Sequence, residues 1–226
     1  MKLGVLSDIH GNYAALAVVL EEFRRQGISD LLFLGDMIGY YPFAKSCLAM
    51  LEEFRVTSVR GNHDQIGLDC LRDGTRTSEA YRRAYGSALD RALDDGVRLE
   101  EAPLEQRLSL QGRTLLLCHG SPWDALEGRV YPDFKEWEQF ETCGADAVLM
   151  GHTHYPVLRK CGAVLVLNPG SVGQARQRSG VACAALLDVP AMTASLLELP
   201  YDPAALIADA RAHDPDLPYL TQVLQR

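Results

Sequence analysis

The sequence lacks long hydrophobic runs. Its longest apolar stretches, such as LLFLG and AVLVL, fall far short of the about 18 residues that a membrane-spanning helix needs. The first residues, MKLGVLSDIHGN, reach an acidic side chain at position 8, before a cleavable signal peptide could form. We therefore expect a cytoplasmic protein with no membrane partner.

Cysteines with metal-binding or redox spacing are also missing. The six cysteines are scattered without a CxxC motif, and several lie inside apolar runs such as LLLCHG. A reduced, buried thiol is the ordinary interpretation of that setting. The sequence therefore supports neither a structural zinc knuckle nor a disulfide framework.

An excess of positive charge is missing as well. The chain has 22 Lys and Arg residues against 30 Asp and Glu residues, which gives a formal net charge of −8. Binding a long polyanion usually needs several phosphates neutralised by basic side chains. This balance disfavours long nucleic acids and acidic membranes and favours a small substrate, while the oligomeric state stays open.

What the chain does contain is an alternation of strand-like and helix-like segments. LGVLS precedes NYAALAVVLEEFRRQG, LLFLG precedes PFAKSCLAMLEEF, and VTSVR begins the same order a third time. This order predicts parallel strands joined by crossover helices. Further along, QRLSL with TLLLCHG, PVLRKCGAVLVLNPGS and GVACAALLDVPAMTASLLELP each predict a hairpin.

Two regions depart from that alternation. Residues from 64 to about 98 contain SEAYRRAYGSALDRALDDG, which predicts a helical insert that could cover a site. The tail from 202 to 226 has prolines at 203, 215 and 218 and predicts one helix plus an ordered or loosely packed end. We predict a single domain over residues 1–226 with these two additions.

Polar side chains follow the predicted strands at their carboxyl ends. In chain order these are Asp8 and His10, then Asp36, then Asn62 and His63, then His119, and finally His152 and His154. Loops at this edge of an open α/β sheet converge, so the side chains can point into one cleft. Five of the six histidines belong to this set, which favours a shared function.

Several of these residues also have a purely structural interpretation. Asp36 could cap the helix that follows it, and Asn62 after Gly61 is ordinary turn chemistry. His119 beside a glycine could be a surface histidine. The combination at successive strand ends nevertheless favours a functional site over these separate explanations.

The donors in this set are carboxylates, imidazoles and one amide oxygen. They suit Mn²⁺, Fe, Zn²⁺, Co²⁺ or Ni²⁺ and not an ion that selects thiolates. The number of donors exceeds the four ligands of a simple zinc site, whereas two ions that share a carboxylate would use nearly all of the donors. Two ions about 3.5–4 Å apart lower the pKa of bound water and stabilise both the attacking and the leaving oxygen of an in-line displacement at phosphorus. The set therefore predicts phosphoester hydrolysis.

The order of the motifs DIHGN, GDMIGY, GNHD, HGSP, GHTH and NPGS resembles the calcineurin-like metallophosphoesterase superfamily, especially its small bacterial and archaeal phosphodiesterase or phosphatase-like members. The resemblance covers residues 3 to about 190 and extends to the tail segment YDPAALIADARA. It implies a four-layer α/β/β/α sandwich with a dinuclear site between the edges of two sheets. It also implies two divalent transition-metal ions, with Mn²⁺ favoured and Fe, Zn²⁺, Ni²⁺ or Co²⁺ as alternatives.

The resemblance further implies roles for single residues. The ligands would be Asp8, His10 and His154 on one metal, Asn62, His119 and His152 on the other, and Asp36 as the bridging carboxylate. A hydroxide held by the pair would attack phosphorus, and His63 matches the general acid that protonates the leaving alcohol. Whether Asp64 orients His63 or points away is left open.

Two positions depart from the protein phosphatases of this superfamily, which carry an Asp-Arg pair three and four residues after the bridging Asp. Here these positions are Gly39 and Tyr40. The missing bidentate anion contact weakens the case for a dianionic monoester on a protein. Arg176 could replace that contact or be a solvated loop charge, and Tyr40 could line the pocket or only pack; both are our candidate substrate-binding residues.

The sequence therefore predicts a dinuclear-metal phosphodiesterase for a small substrate, of the cyclic-nucleotide class or a related species, with His63 and Asp36 as catalytic residues. One alternative is a phosphomonoesterase, including Ser/Thr protein phosphatase activity. Another is a non-catalytic binding or scaffold module of the same fold. Such modules typically lose metal ligands, whereas every ligand position is filled here.

Overall fold

The computed structural model describes residues 1–99 and 101–225. Its strands are β1 (Lys2–Leu6), β2 (Asp30–Phe33), β3 (Arg55–Ser58), β4 (Glu105–Leu110), β5 (Arg113–Cys118), β6 (Ala147–Leu149), β7 (Val157–Cys161), β8 (Val164–Asn168), β9 (Val181–Asp188) and β10 (Thr193–Pro200). Its helices are α1 (Tyr13–Arg25), α2 (Ala44–Leu51), α3 (Asn62–Asp73), α4 (Glu79–Tyr85), α5 (Ala88–Asp94), α6 (Ala204–His213) and α7 (Tyr219–Gln225), with a 3₁₀ helix over Trp137–Thr142.

The first sheet has the strand order β10-β9-β1-β2-β3. Strands β1, β2 and β3 are parallel, and β9 runs antiparallel to β1. Helices α1 and α2 lie between consecutive parallel strands in the chain, as the alternation of segments predicts. The carboxyl ends of β1, β2 and β3 therefore meet at one edge.

The second sheet has the strand order β4-β5-β6-β8-β7. Strands β5, β6 and β8 are parallel, while β4 and β7 are antiparallel to their neighbours. The hairpins β4–β5 and β7–β8 turn where the sequence predicts, and Gln111 (φ 51°) and Gly112 (φ 75°) take left-handed conformations in the first of these turns. The ends of β5 and β6 carry the HGSP and GHTH motifs.

The two sheets face each other across an apolar layer. In β1, Leu3 and Val5 point into this layer, while Leu6 points to the opposite face, against the helices. This alternation is the normal pleat of a strand with both faces buried. A Cβ on Gly4 would lie 2.7 Å from the Phe23 ring, so glycine lets α1 pack closely on the sheet.

Helices cover the outer face of the first sheet, and an aromatic cluster covers the outer face of the second. That cluster centres on Trp137 and Phe140 of the 3₁₀ helix, which pack on the outward side chains of β5, β6 and β8. The predicted four-layer α/β/β/α fold is confirmed. The fourth layer is thinner than a row of α-helices because a loop and one 3₁₀ helix form it.

The helical regions beyond the sheets differ in detail from the prediction. The segment predicted as one helical run divides into α4 and α5 at Gly86 (φ 83°), whose backbone conformation favours glycine. The tail forms two helices, and α7 buries Leu220 and Leu224 beside Tyr41. Arg226, the last residue of the predicted tail, lies outside the described residues. The division into one domain, an insert and a tail stays a prediction.

Across residues 1–99 and 101–225, no helix combines the length and the apolar character that crossing a membrane requires.

Candidate metal centre

The predicted donors come together where the carboxyl ends of both sheets meet. They lie in the loops after β1, β2, β5 and β6 and in the first turn of α3. Backbone hydrogen bonds lock the first two loops together, since Asp8 N–H donates to Gly35 O over 2.9 Å and His10 N–H donates to Asp36 O over 3.0 Å. The topology alone therefore brings distant parts of the chain into one site.

Three of these residues form what we call the inner pocket: Asp8, His10 and His154. The Nε2 atoms of His10 and His154 lie 3.1 Å apart, and His154 Nε2 lies 3.2 Å from Asp8 Oδ1. All three side chains are buried, and Asp8 Oδ1 is a fully buried oxygen with no hydrogen-bond partner in the described part of the chain. An unpartnered buried carboxylate oxygen is costly unless a cation satisfies it, so this donor set fits a divalent metal ion.

Three others form the outer pocket: Asn62, His119 and His152. The amide oxygen of Asn62 lies 3.1 Å from His119 Nε2 and 3.1 Å from His152 Nδ1. His119 is buried, whereas Asn62 and His152 are partly exposed. Two imidazole nitrogens and a neutral oxygen at this spacing also suit a transition-metal ion.

Asp36 lies between the two pockets. Its Oδ2 atom is 3.8 Å from His10 Nε2 in the inner pocket and 3.3 Å from His119 Nε2 in the outer pocket. The side chain is 1% exposed. One carboxylate therefore reaches toward both donor sets, which is the place that a shared ligand would occupy.

The imidazoles are held in fixed orientations by backbone carbonyls. The Nδ1 atoms of His10, His119 and His154 can donate to Ile38 O over 2.9 Å, to Leu34 O over 2.7 Å and to Gln174 O over 2.9 Å, respectively. A hydrogen on Nδ1 leaves Nε2 as the free lone pair that faces the pocket. Such outer hydrogen bonds fix both the tautomer and the orientation of a metal-binding histidine.

The site concentrates negative charge on its two carboxylates. Burial alone would raise the pKa of Asp8, but the neighbouring imidazoles, His154 first among them, bring it well below its usual value. Asp36 follows the same pattern with His119 as the main neighbour, and its pKa is also lowered. Burial by itself would lower the pKa of His119, but the charge and hydrogen bond of Asp36, together with the charge of Asp8 and the Leu34 carbonyl, raise it to about 10. Both carboxylates are thus ionised and ready to attract cations.

Backbone strain is concentrated at these ligands. Seven non-glycine residues in the described chain have a positive φ, and five of them are predicted ligands: Asp8 (54°), His10 (50°), Asp36 (64°), His152 (64°) and His154 (62°). Left-handed conformations are unfavourable for residues with a Cβ and persist where the surroundings enforce them. Hydrophobic periodicity, the basis of the strand prediction, carries no signal for this feature.

The NPGS loop supports the inner pocket from behind. Ser171 Oγ donates to Asp8 O over 2.8 Å, and Asn168 Nδ2 donates to Gly151 O over 2.7 Å. These bonds fix the loop after β1 and the loop after β6. Asn168 and Ser171 therefore shape the loops that carry the ligands.

Asp64 supports the Asp36 loop and is not aimed at the His63 ring. Its carboxylate accepts hydrogen bonds from the N–H groups of Asp36 (2.8 Å), Met37 (2.9 Å) and Gly61 (3.2 Å). Burial, with the nearby charge of Asp36, raises the pKa of Asp64 to about 6. Sequence reasoning left this role open, and the contacts give Asp64 a structural task in the site.

His63 lies beside the donors in the first turn of α3. Its backbone N–H donates to Asp36 Oδ1 over 2.8 Å, its ring is 5% exposed, and burial lowers its pKa to about 3. Its Nδ1 atom lies 2.6 Å from the hydroxyl oxygen of Tyr81, on α4. Sequence reasoning missed Tyr81, although Tyr81 and Tyr85 are four residues apart and so share one helix face.

The two candidate substrate residues lie next to the inner pocket. The Tyr40 ring is 4.6 Å from the His10 ring, edge to face. Arg176 donates from Nη2 to Gln174 Oε1 over 2.9 Å and lies 3.4 Å from Tyr40 Oη. Its Nε is a buried donor with no partner in residues 1–99 and 101–225, so Arg176 retains capacity to bind an anion.

Arg129 is a further cation that sequence reasoning missed. It is exposed, and its Nε lies 3.2 Å from His152 Nε2 at the outer pocket. It belongs to the loop between β5 and β6, whose sequence matches no predicted element. The described site thus has one arginine near each pocket.

Known proteins resemble the chain over most of its length. An uncharacterized protein of Methanocaldococcus jannaschii is 26% identical over 226 residues, covering 88% of each chain. Phosphodiesterase YfcE of Escherichia coli K12 is 29% identical over 173 residues, covering 76% of this chain and 79% of YfcE. The crystal structure of a metallophosphoesterase from Sphaerobacter thermophilus matches with a TM-score of 0.76 and 24% identity, over 99% of this chain and 98% of that one, and so has the same fold.

The match to a family covers most of the chain and both donor pockets. Residues 1–192 match the calcineurin-like phosphoesterase superfamily domain, which confirms the resemblance seen in the sequence motifs. Members of this family depend on divalent metal ions, and the donor set described above fits such ions. The chain therefore belongs to the calcineurin-like phosphoesterase superfamily and is a phosphoester hydrolase.

Proposed function

We propose that this hydrolase uses two divalent metal ions to cleave a small phosphodiester, with Mn²⁺ as the favoured metal. The observation that carries the proposal is the pair of donor pockets that share Asp36. Asp8 Oδ1, buried without a hydrogen-bond partner, supports a cation in the inner pocket. The partly exposed side chains of Asn62 and His152 support access of substrate at the outer pocket.

The metal ions and the protein would divide the chemistry between them. When bound, two such ions lower the pKa of water and neutralise charge that develops on the phosphoryl oxygens. Asp36 would hold both donor sets at a fixed spacing, and the two arginines would add positive charge on either side. Phosphoryl transfer gains mainly from positioning and charge stabilisation, which a rigid and strained site supports.

His63 would act as the general acid. Its Nδ1 is occupied by Tyr81, while Nε2 makes no hydrogen bond within the described residues and is not fully enclosed. The Nε2–H of a protonated ring would pass its proton to the oxygen released from phosphorus. An anionic phosphoester beside the ring favours that protonated form by charge, against the effect of burial.

A diester is favoured over a dianionic monoester by the residues after Asp36. Gly39 and Tyr40 provide no cation there. Arg176, held by Gln174 and Tyr40 and stacked 5.4 Å from the Tyr219 ring, is the nearest substitute on the inner side. A single partly buried arginine suits the one negative charge of a phosphodiester.

The proposal is tested by comparing two chromogenic substrates with the Mn²⁺-loaded protein. We expect faster hydrolysis of bis-p-nitrophenyl phosphate than of p-nitrophenyl phosphate, and a loss of about 10- to 100-fold in both activities in Asn62→Ala. A wild-type rate in that variant would rule out the outer pocket as part of the mechanism. Faster hydrolysis of the monoester would favour the alternative phosphomonoesterase.

The substrate class needs a wider screen. A panel of cyclic nucleotides, dinucleotides, phosphopeptides and sugar phosphates, each assayed with Mn²⁺, would separate the phosphodiesterase from a protein phosphatase. The absence of turnover on every member, together with an empty or singly occupied metal site in solution, would instead favour a non-catalytic binding module.

A further inference from the structure

The Nδ1 atom of His63 faces Gly39 on one side. A Cβ placed on Gly39 would lie 3.0 Å from His63 Nδ1 and 2.6 Å from His10 Nδ1, and Gly39 has φ 139°. No side chain fits at position 39 without a shift of these rings. The loop that carries Asp36 therefore offers no side chain at this position to orient His63.

Tyr81 occupies the other side of that atom. It lies on α4, its side chain is 7% exposed, and its hydroxyl oxygen is 2.6 Å from Nδ1. The two rings are 5.5 Å apart and edge to face. A hydrogen bond this short in a buried place fixes both the position of the imidazole and the nitrogen that stays free.

The helix that carries Tyr81 is itself well anchored. Ser78 caps α4 by accepting a hydrogen bond from Tyr81 N–H over 3.1 Å. The buried carboxylate of Asp90 accepts from Thr77 N–H over 2.9 Å and from Thr77 Oγ1 over 2.8 Å. Tyr81 is thus held at its own backbone as well as at its hydroxyl.

We propose that Tyr81 is a positioning residue for His63, an inference that rests on the proposed role of His63 as general acid. Nδ1–H donates to the Tyr81 oxygen and leaves Nε2 as the nitrogen that exchanges a proton with the leaving group. In that step the Nε2–H proton passes to the oxygen released from phosphorus. The ring is left neutral, with its hydrogen on Nδ1 and still bonded to Tyr81.

In this role the helices after α3 help to position the general acid, in addition to enclosing the site. Two contacts tie α5 and the residue before it to α6 and the residue after it: Arg91 pairs with Asp209 over 2.7 Å, and Ser87 N–H donates to Asp214 Oδ1 over 2.9 Å. Relatives that differ in this segment would have to position the general acid in another way.

The test uses Tyr81→Phe, which removes the hydroxyl and keeps the ring that packs. Tyr85→Phe is the matched control, because its ring is 5.0 Å from His63 and its hydroxyl makes no hydrogen bond to the imidazole in the described chain. Substrates are aryl phenyl phosphodiesters whose leaving groups run from 4-nitrophenol to unsubstituted phenol. A general acid matters most for the poorest leaving group.

We expect Tyr81→Phe to lose about tenfold in kcat/KM with phenol as leaving group and less than about twofold with 4-nitrophenol, the scale of one well-placed hydrogen bond. Tyr85→Phe should match the wild type across the series. In a His63→Ala background, Tyr81→Phe should cause no further loss. An equal loss for all leaving groups, or a loss that persists without His63, would overturn the inference.

A second readout does not depend on turnover. In the zinc-loaded, ¹⁵N-histidine-labelled protein, long-range ¹H–¹⁵N spectra should show His63 as the Nδ1–H tautomer, identified by its absence in His63→Ala. Tyr81→Phe should shift it toward the Nε2–H tautomer that a free histidine side chain favours. An unchanged tautomer would refute the inference. If His63→Ala loses the same factor of kcat/KM with every leaving group, the general-acid proposal fails. The spectra would still show whether Tyr81 sets the tautomer of His63.

Discussion

The inner and outer pockets are built from similar donors but differ in exposure. Asp8 and His10 are 0% exposed and His154 is 4% exposed, whereas Asn62 and His152 of the outer pocket are partly open to solvent. Metal sites closed by protein ligands are typical of tight binding, while catalytic sites keep an open position. The donors of the outer pocket are therefore the more accessible of the two sets.

The contrast arises from which parts of the chain surround each pocket. The inner pocket is enclosed by loops from both sheets and by the NPGS loop, which bonds directly to the Asp8 carbonyl. The outer pocket adjoins the exposed residues Glu127 and Arg129. The carboxylate of Glu127 is 4.0 Å from His152 Nε2. Solvent and ligands can therefore exchange at one pocket more readily than at the other.

The largest effect is expected from Asp36→Asn, because this residue belongs to both pockets. The amide is neutral and similar in shape, so the fold should persist while metal binding weakens. We expect kcat/KM to fall by at least about 10³-fold, with fewer than two metal ions per chain by mass spectrometry of metals. A variant that keeps two ions and most of its activity would contradict a shared role for Asp36.

The roles of the two pockets are distinguished most directly by comparing the activities of His10→Ala and His152→Ala. The inner variant should lose about 10³-fold in activity, and excess Mn²⁺ should not restore it, because its site is closed and depends on every ligand. The outer variant should lose about 10- to 100-fold and recover at millimolar Mn²⁺. Activity measured across a Mn²⁺ titration checks both. Identical titration curves would abolish the distinction between the pockets.

Asp64→Asn should mainly affect stability. The substitution removes a charged acceptor from the backbone N–H groups of Asp36, Met37 and Gly61 and turns an amide donor toward some of them. We expect the free energy of unfolding in urea to fall by about 2 kcal/mol at equal metal concentration. Asp69→Asn, on the same helix and paired with Arg72 near the surface, is the control and should change it by less than about 0.5 kcal/mol. Equal values for the two variants would show that the Asp36 loop does not depend on Asp64.

The smallest effect is expected from Arg176→Ala. Loss of one partly buried cation on the inner side should raise KM for bis-p-nitrophenyl phosphate by about three- to tenfold and change kcat little, as for a contact made equally in ground and transition states. Arg178→Ala is the matched control, because Arg178 is exposed and pairs with Glu198. If the two variants have the same KM, Arg176 is not a substrate contact.

Much of the fold could be predicted because strand and helix segments differ in hydrophobic period. The runs around Leu32 and Val148 are short, apolar and followed by polar groups, so both the strands and their functional ends were visible. The two-sheet arrangement came only from the resemblance to a family, since periodicity does not tell which sheet a strand joins. The break between α6 and α7 coincides with Pro215 and Pro218, which cannot continue a helix, whereas the packing of α7 beside Tyr41 is tertiary and has no local signal.

The candidate site was likewise predictable only in part. Its donors follow strand ends, and the structure brings all seven predicted metal ligands together. The roles of Asp64 and Tyr81 were not predictable, because both depend on contacts between segments that are remote or separated by a turn. Asp64 lies 28 residues from Asp36 in the sequence, and Tyr81 lies 18 residues from His63. Contacts at such separations depend on tertiary packing, which composition and local pattern do not encode.

The most direct test of a two-metal site that shares Asp36 is anomalous diffraction from crystals of the Mn²⁺-loaded protein at the manganese absorption edge. We expect two peaks about 3.5–4 Å apart, one among Asp8, His10 and His154 and the other among Asn62, His119 and His152. Both peaks should lie within bonding distance of Asp36, with lower occupancy at the outer position when Mn²⁺ is limiting. A single peak, or two peaks that do not share Asp36, would contradict it.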